Sequence, residues 1–174
     1  MSTVKKLVLA ALFLALALYL PFLTGQIPQI GMMLSPMHFP VLLCGFVCGP
    51  GYGLAVGFIA PLLRSFLFTM PPFPVAAVPM AFELAAYGFL TGWLYKVLPK
   101  RTSSIYGALV AAMVGGRIVW GLVRYAMLFT GTPFTWEIYI SSVIMGSLPG
   151  IVLQIVLIPP LVLALQRAGV MENA

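Results

Sequence analysis

Apolar runs long enough to cross a lipid bilayer, broken by proline, glycine or clustered charge, recur along this whole chain. A hydrocarbon core about 30 Å thick needs about 20 mostly apolar residues in a helix. With no water at that depth, the helix must satisfy its own N–H and C=O groups. The runs define six candidate helices, at residues 4–20, 39–48, 52–68, 76–97, 105–129 and 139–165. Pro21 is expected to stop the first, and the second is too short to cross alone. Composition agrees, since 62% of the 174 residues are hydrophobic and only 7% charged, against about 25% charged in soluble domains. The predicted fold is all-α and integral to the membrane, a single transmembrane domain over residues 1–174.

Charge settles the number of crossings. Lys5 and Lys6 sit at the start of span one; Lys96, Lys100 and Arg101 lie at the junction of spans four and five; Arg167 follows span six. With six spans these all fall on one face, which the positive-inside rule makes cytoplasmic. Without the short second segment, "LYKVLPKR" would move to the opposite face from Lys5 and Lys6. The expectation is therefore six transmembrane helices, a short second helix, and both termini cytoplasmic. The uncharged loop "TGQIPQIGMMLSPMH" is expected to fold back into the protein above that short helix, because irregular backbone at such depth must be buried in protein or line a cavity. Ala15-Leu16-Ala17 resembles a signal-cleavage motif but lies inside the apolar stretch, so the segment reads as an uncleaved span. The net charge of +6 does not indicate nucleic acid, since the basic residues are too few and scattered to track phosphates. Cys44 and Cys48 suit adjacent turns of one helix rather than a disulfide.

The stretch "GGRIVWGLVRYAMLF" places Arg117 and Arg124 in an apolar span. An arginine at the centre of a membrane helix costs about 2.5–3.5 kcal/mol on insertion scales, and intramembrane ionisable groups default to a functional reading. The two are two helical turns apart, so both point the same way, with Trp120 between them. Glu83 and Tyr87 share a face of span four. Arg64 falls near the outer end of span three, and His38 at the outer start of span two. Every ionisable group not used for topology is thus expected in the outer half. If these faces meet, they make an electropositive, aromatic-lined pocket opening outward, with guanidinium forks matched to carboxylate or phosphate and an indole to cover the flat part of a ligand. The rival reading is structural: Glu83 pairs with Arg117 or Arg64 to set helix register, and Arg64 and Arg124 reach the outer headgroups. One carboxylate cannot neutralise three guanidiniums, which favours the pocket. A single histidine at a helix start is more often a hydrogen-bonded structural residue than a ligand. His38 with Cys44 and Cys48 lacks a fourth ligand, so no metal is expected. Trp136 and Glu137 lie in the last outer loop, where a lid or an interfacial tryptophan would sit. The Pro-rich "TMPPFPVAA" would hold the entrance rigid, or serve only as a stiff turn.

Small-residue spacings are frequent: Gly45 to Gly49, Gly53 to Gly57, Gly88 to Gly92 and Gly146 to Gly150, each with three residues between. They let helices approach closely and read as internal packing. Ala11 and Ala15, on a leucine-rich first helix, instead form a flat strip able to receive a partner helix. No Gly-x-x-x-x-Gly-Lys-Ser/Thr loop occurs, so ATP hydrolysis is not expected of this chain. Neither a Gly-x-Ser-x-Gly elbow nor a His-Glu-x-x-His pair is present. With one histidine and three acids, binding is better supported than catalysis, and no enzyme is expected.

The run "HFPVLLCGFVCGPGYGLAVGFIAPLLRS" resembles the segment spanning helices two and three of substrate-binding (S) components of energy-coupling factor (ECF) vitamin transporters. It looks closest to the group with riboflavin-, folate- and pantothenate-type members. There, a polar residue and a proline open a short second helix that ends in a Gly-Pro-x-x-Gly cytoplasmic turn; here these are His38, Pro40 and Gly49-Pro50-Gly51-Tyr52-Gly53. Size, six spans, inside termini and the alanine pair also fit, so the resemblance covers nearly the whole chain. It implies a single substrate-binding domain in a bacterial cytoplasmic membrane, capturing a micronutrient in its outer half. Its partners would be a transmembrane coupling (T) protein, docked on Ala11 and Ala15, and two cytoplasmic ATPases that use the ATP; no cofactor belongs to this chain. The S component is thought to topple in the membrane to deliver its cargo. Met37-His38 stands where riboflavin-type members tend to carry an acid, which disfavours riboflavin. An internal Met-His also differs from the N-terminal one of nickel and cobalt members, and "GQIPQIGMM" does not match the biotin-type motif. The favoured cargo is a small anionic vitamin or precursor, pantothenate-like, bound by Arg117 and Arg124 with Trp120 stacking and Arg64 assisting, while Glu83 and Tyr87 orient a polar end or hold an arginine and His38 lies at the pocket edge. The rivals are a small membrane enzyme acting on a lipid or isoprenoid phosphate and a structural membrane subunit.

Overall fold

A computed structural model describes residues 1–24, 27–142 and 147–171, and among these every regular element is helical. Helix α1 (Thr3–Leu23) starts at Ser2, whose hydroxyl accepts from the Lys5 N–H at 3.3 Å. It does not stop at Pro21 as expected but runs to Leu23, with Pro21 inside its last turn. A proline there loses one intrahelical bond near an end that frays anyway, and the Thr24 hydroxyl donates to the Pro21 carbonyl at 2.7 Å. A short helix, α2 (Pro28–Leu34), occupies the uncharged loop and lies against the start of the last helix, so that loop does fold back onto the protein.

Helix α3 (His38–Cys48) is 11 residues long, about 17 Å at 1.5 Å per residue. It is buried nearly all round, enclosed by α1 and by α4 (Pro50–Phe68), α5 (Ala77–Val97) and α8 (Leu148–Arg167). An all-round apolar sequence suits such a position. Gly49 alone joins α3 to α4, at φ 97°, and Pro50 opens the next helix. That left-handed backbone favours glycine, and proline at a first helical position needs no N–H partner. In the middle of the bundle α4 crosses α5 at Gly53 and Gly88, where a methyl group on either would strike the other's backbone. The glycine spacings of α3, α4 and α5 therefore serve internal packing; Gly146 lies outside the described residues.

Helix α6 (Thr102–Ala126) continues as a 3-10 turn (Met127–Thr130), and α5 is packed between it and α4. The expected span at 139–165 divides: a short α7 (Trp136–Ile140) precedes α8, which begins at Leu148 with Pro149 in its first turn. Residues 143–146 lie outside the described residues. Among the described residues, four stretches are long and apolar enough to cross a membrane: Thr3–Leu23, Pro50–Phe68, Thr102–Thr130 and Leu148–Arg167. Helix α5 has comparable length, 21 residues, but Pro79, Glu83, Thr91, Lys96 and its tyrosines dilute its hydropathy. Leu7, Leu12, Phe66, Ile118, Leu122, Val152 and Val156 point outward from these helices, a surface suited to lipid rather than water.

Candidate substrate-binding site

The polar residues of three helices converge because α5 packs against both α3 and α6. His38 opens α3, Glu83 and Tyr87 lie one turn apart on α5, and Arg117 lies on α6. Arg117 Nη1 meets Glu83 Oε1 at 2.9 Å, and the Tyr87 hydroxyl donates to the same oxygen at 3.0 Å. The His38 Nε2 stands 3.8 Å from it, beyond hydrogen-bond reach, and its ring tilts against Tyr87 with centroids 5.3 Å apart. The Glu83 side chain is 2% exposed and that of Arg117 15%. A carboxylate so withdrawn from water is tolerable only when paired and hydrogen-bonded, and Arg117 and Tyr87 do both. On the other side the accounting is open: neither ring nitrogen of His38 nor Nε of Arg117 has a hydrogen-bond partner. Most buried polar atoms are paired, so these are the cluster's unused hydrogen-bonding positions.

Arg124, two turns along α6, takes a different set of partners. Its Nη1 donates to the Val75 carbonyl at 3.2 Å and its Nη2 to the Pro133 carbonyl at 3.4 Å, tying the Pro-rich segment after α4 to the segment after the 3-10 turn. The guanidinium lies 5.9 Å from the centroid of Trp120, and Nε is buried without a partner. Trp120 belongs to an aromatic group with Phe134 and Tyr139, and Tyr139 stacks on Trp136 at 5.5 Å. The Tyr139 hydroxyl donates to the Arg117 carbonyl at 3.3 Å, so α7 is fastened over the arginine-bearing part of α6. Sequence reasoning missed Tyr139 by placing it at the start of span six. The density of Phe134, Trp136 and Tyr139 in six residues was the available signal.

Arg64 is not brought to Glu83. Its Nη1 donates to the Leu18 carbonyl of α1 at 2.6 Å, and its guanidinium packs 4.9 Å from Phe22 and 5.4 Å from Phe68. It pins α1 to α4. Ala11 and Ala15 are exposed on α1, turned away from the buried Ala10, Phe13, Ala17 and Pro21. Cys44 and Cys48 are buried free thiols, and among the described residues no group of three His, Cys, Asp or Glu could hold a metal.

Among the described residues, two concavities lie apart from this cluster, and neither is lined by Glu83 or Arg117. One, of about 350 Å³, is an apolar groove between α1, α3 and α8 that includes Leu20, Phe39, Leu43 and Leu157. The other, of about 130 Å³, lies at the opposite end of the bundle, among Lys6, Lys96 and Lys100. Within the Glu83 cluster, His38, Glu83 and Tyr87 are buried, and the Arg117 side chain keeps 15% exposure.

Residues 5–162 match the model of the family described as "ECF transporter, substrate-specific component", and the chain belongs to that family. It is thus a substrate-binding subunit of an ECF importer, a multi-pass membrane transport protein rather than an enzyme. Membership implies association with a T component and ATPases. Comparison with curated proteins and with solved structures gives no match.

Proposed function

We propose that this subunit captures a small anionic vitamin or vitamin precursor, one that is pantothenate-like in joining a carboxylate to a polar chain, from outside a bacterial cytoplasmic membrane. The observation that carries the reading is the buried Arg117–Glu83 pair beside a His38 imidazole with no hydrogen-bond partner. A guanidinium has five donors in a planar fork. An incoming carboxylate engages donors of Arg117 that Glu83 leaves unused, and His38 and Tyr87 meet its polar end. Trp120 covers the ligand and Arg124 adds a second cation at the mouth. Because Arg124 also holds the segments around Val75 and Pro133, entry requires those segments to part. Arg64 assists by fixing α1 against α4.

In this reading the chain is one substrate-binding domain over residues 1–174, with six crossings and both termini cytoplasmic; α3 and α5 join the four longer apolar stretches. The exposed Ala11–Ala15 strip receives the T protein, two cytoplasmic ATPases supply the work, and this chain carries no cofactor. Cargo is delivered by reorientation in the membrane, without chemistry on the substrate.

The test is a thermal-shift screen of the purified, ligand-stripped protein. The panel holds carboxylate vitamins including pantothenate, neutral vitamins, phosphorylated precursors and divalent metals. Ligand at 100 times its Kd stabilises the folded state by about 2.7 kcal/mol. The expected result is a shift with one carboxylate vitamin that is lost on changing Arg117. No shift with any anion would leave the arginines as packing elements.

A further inference from the structure

The cavity at the lysine end has no part in substrate capture as described above. About 130 Å³ in volume, it is lined by Lys6 of α1, Phe46, Val47 and Cys48 of α3, Gly49 of the turn, Tyr95 and Lys96 of α5, and Lys100 beyond it. Its floor is rigid. Tyr95 is buried, packs edge-on against Phe46 at 5.4 Å, and its hydroxyl accepts from Nε2 of Gln166 on α8. The Lys100 ammonium lies 4.1 Å from the Tyr95 ring centroid, and the Lys96 head packs against the Gly49 turn.

Three lysines thus line one small concavity together with Met1 and Met171, and among the described residues no carboxylate lines it. Like charges gathered this way repel. Withdrawal of the Lys100 head from water, with Lys96 beside it, lowers its pKa below the usual lysine range. Lys6 adds a cation to the first turn of α1, where the helix dipole is already positive. The positive-inside rule accounts for the face on which these lysines lie, and Lys96, in the last turn of α5, complements the negative end of that helix's dipole. Neither explains why Lys6, at the positive end of α1, joins Lys96 and Lys100 around one concavity; an anion there does.

We propose that this cavity binds the phosphate of an anionic phospholipid headgroup. Basic pockets between helices at the cytoplasmic side are fitted to such groups. The exposed aliphatic residues Val4, Leu7 and Val8 beside Lys6 give the acyl chains a path along α1. The site is separate from the Glu83 cluster and stands whether or not that cluster binds an anionic vitamin.

The test uses the full-length protein in neutral detergent. Its stabilisation is titrated with dioleoylphosphatidylglycerol, dioleoylphosphatidylcholine and inorganic phosphate, and repeated on Lys6→Gln, Lys96→Gln, Lys100→Gln and the triple variant. Lys100→Arg serves as the charge-keeping control, and each variant's own unfolding in phosphatidylcholine shows whether it is folded. Saturable stabilisation by phosphatidylglycerol over phosphatidylcholine is expected. The midpoint should weaken about fivefold per lysine removed, with Lys100→Arg behaving as the parent. Equal stabilisation by phosphate alone would overturn the lipid as source in favour of a soluble phosphate ester. Equal response to both lipids, or an undiminished phosphatidylglycerol effect in the triple variant, would overturn the site. So would lysine variants that lose co-purifying ATPase partners while keeping the lipid response, which would assign the cavity to a protein contact.

Discussion

At one end of the helices Arg117 meets Glu83 and Tyr87 in one cluster; at the other, Lys6, Lys96 and Lys100 surround a concavity at the aqueous margin. Both ends are positive, yet they hold charge by different physics. In the dry interior the cation is retained only because a carboxylate is held against it, so each partner's removal strands the other. At the wet margin the ammonium groups lie closer to water, with only the Lys100 head partly withdrawn from it, and among the described residues no carboxylate lines the concavity with them. The first arrangement makes stability and binding inseparable. The second gathers like charge near water, at little cost in stability.

The contrast can be broken most directly at Arg117. Arg117→Met should destabilise the protein by about 3–5 kcal/mol, because Glu83 is left buried and unpaired; denaturant unfolding in detergent reads this. Adding Glu83→Gln should restore most of the loss, and a neutral Arg117→Met would erase the distinction between the ends. Next comes Tyr87→Phe, which removes a bond to a charged oxygen and should cost about 1.5–3 kcal/mol in the same assay. Arg124→Met releases the carbonyls of Val75 and Pro133. It should cost about 1–2 kcal/mol and show first as faster amide exchange in the two loops it ties. Smallest is Lys96→Gln, expected within about 0.5 kcal/mol of the parent in lipid-free micelles. Salt sharpens the comparison: at 1 M, where screening acts beyond about 3 Å, the lysine end should lose its preference for anionic lipid. The cost of Arg117→Met should hardly change.

Much of the helical layout was legible because its punctuation is local. Gly49-Pro50 marks the α3–α4 turn, and α3 was legible as a short apolar helix that cannot cross the hydrocarbon alone. Pro21 misled, since a proline one turn from a helix end does not halt it. The last span was drawn too early because the apolar residues of α7 and α8 run together in sequence. Within the site, an ion pair of Glu83 with Arg117 or Arg64 was readable as the structural alternative, because a lone carboxylate in apolar helices must find a cation; which arginine it takes, Arg117, was not. Arg64 was not, for its partner is the Leu18 carbonyl, and a backbone acceptor leaves no mark on residue type. The role of Arg124 as a tie between loops was hidden for the same reason.

The central claim is that the Arg117 guanidinium binds the carboxylate of an anionic vitamin, and equilibrium binding of radiolabelled pantothenate tests it most directly. The parent protein is compared with the Arg117→Met/Glu83→Gln variant, which keeps a neutral, folded interior. Saturable binding by the parent, competed by other carboxylate vitamins and lost by at least about a hundredfold in the double variant, is the predicted result; truncating one side of a buried charged contact costs about 2–5 kcal/mol. A parent that binds no carboxylate vitamin, or a double variant that binds as tightly as the parent, would contradict it.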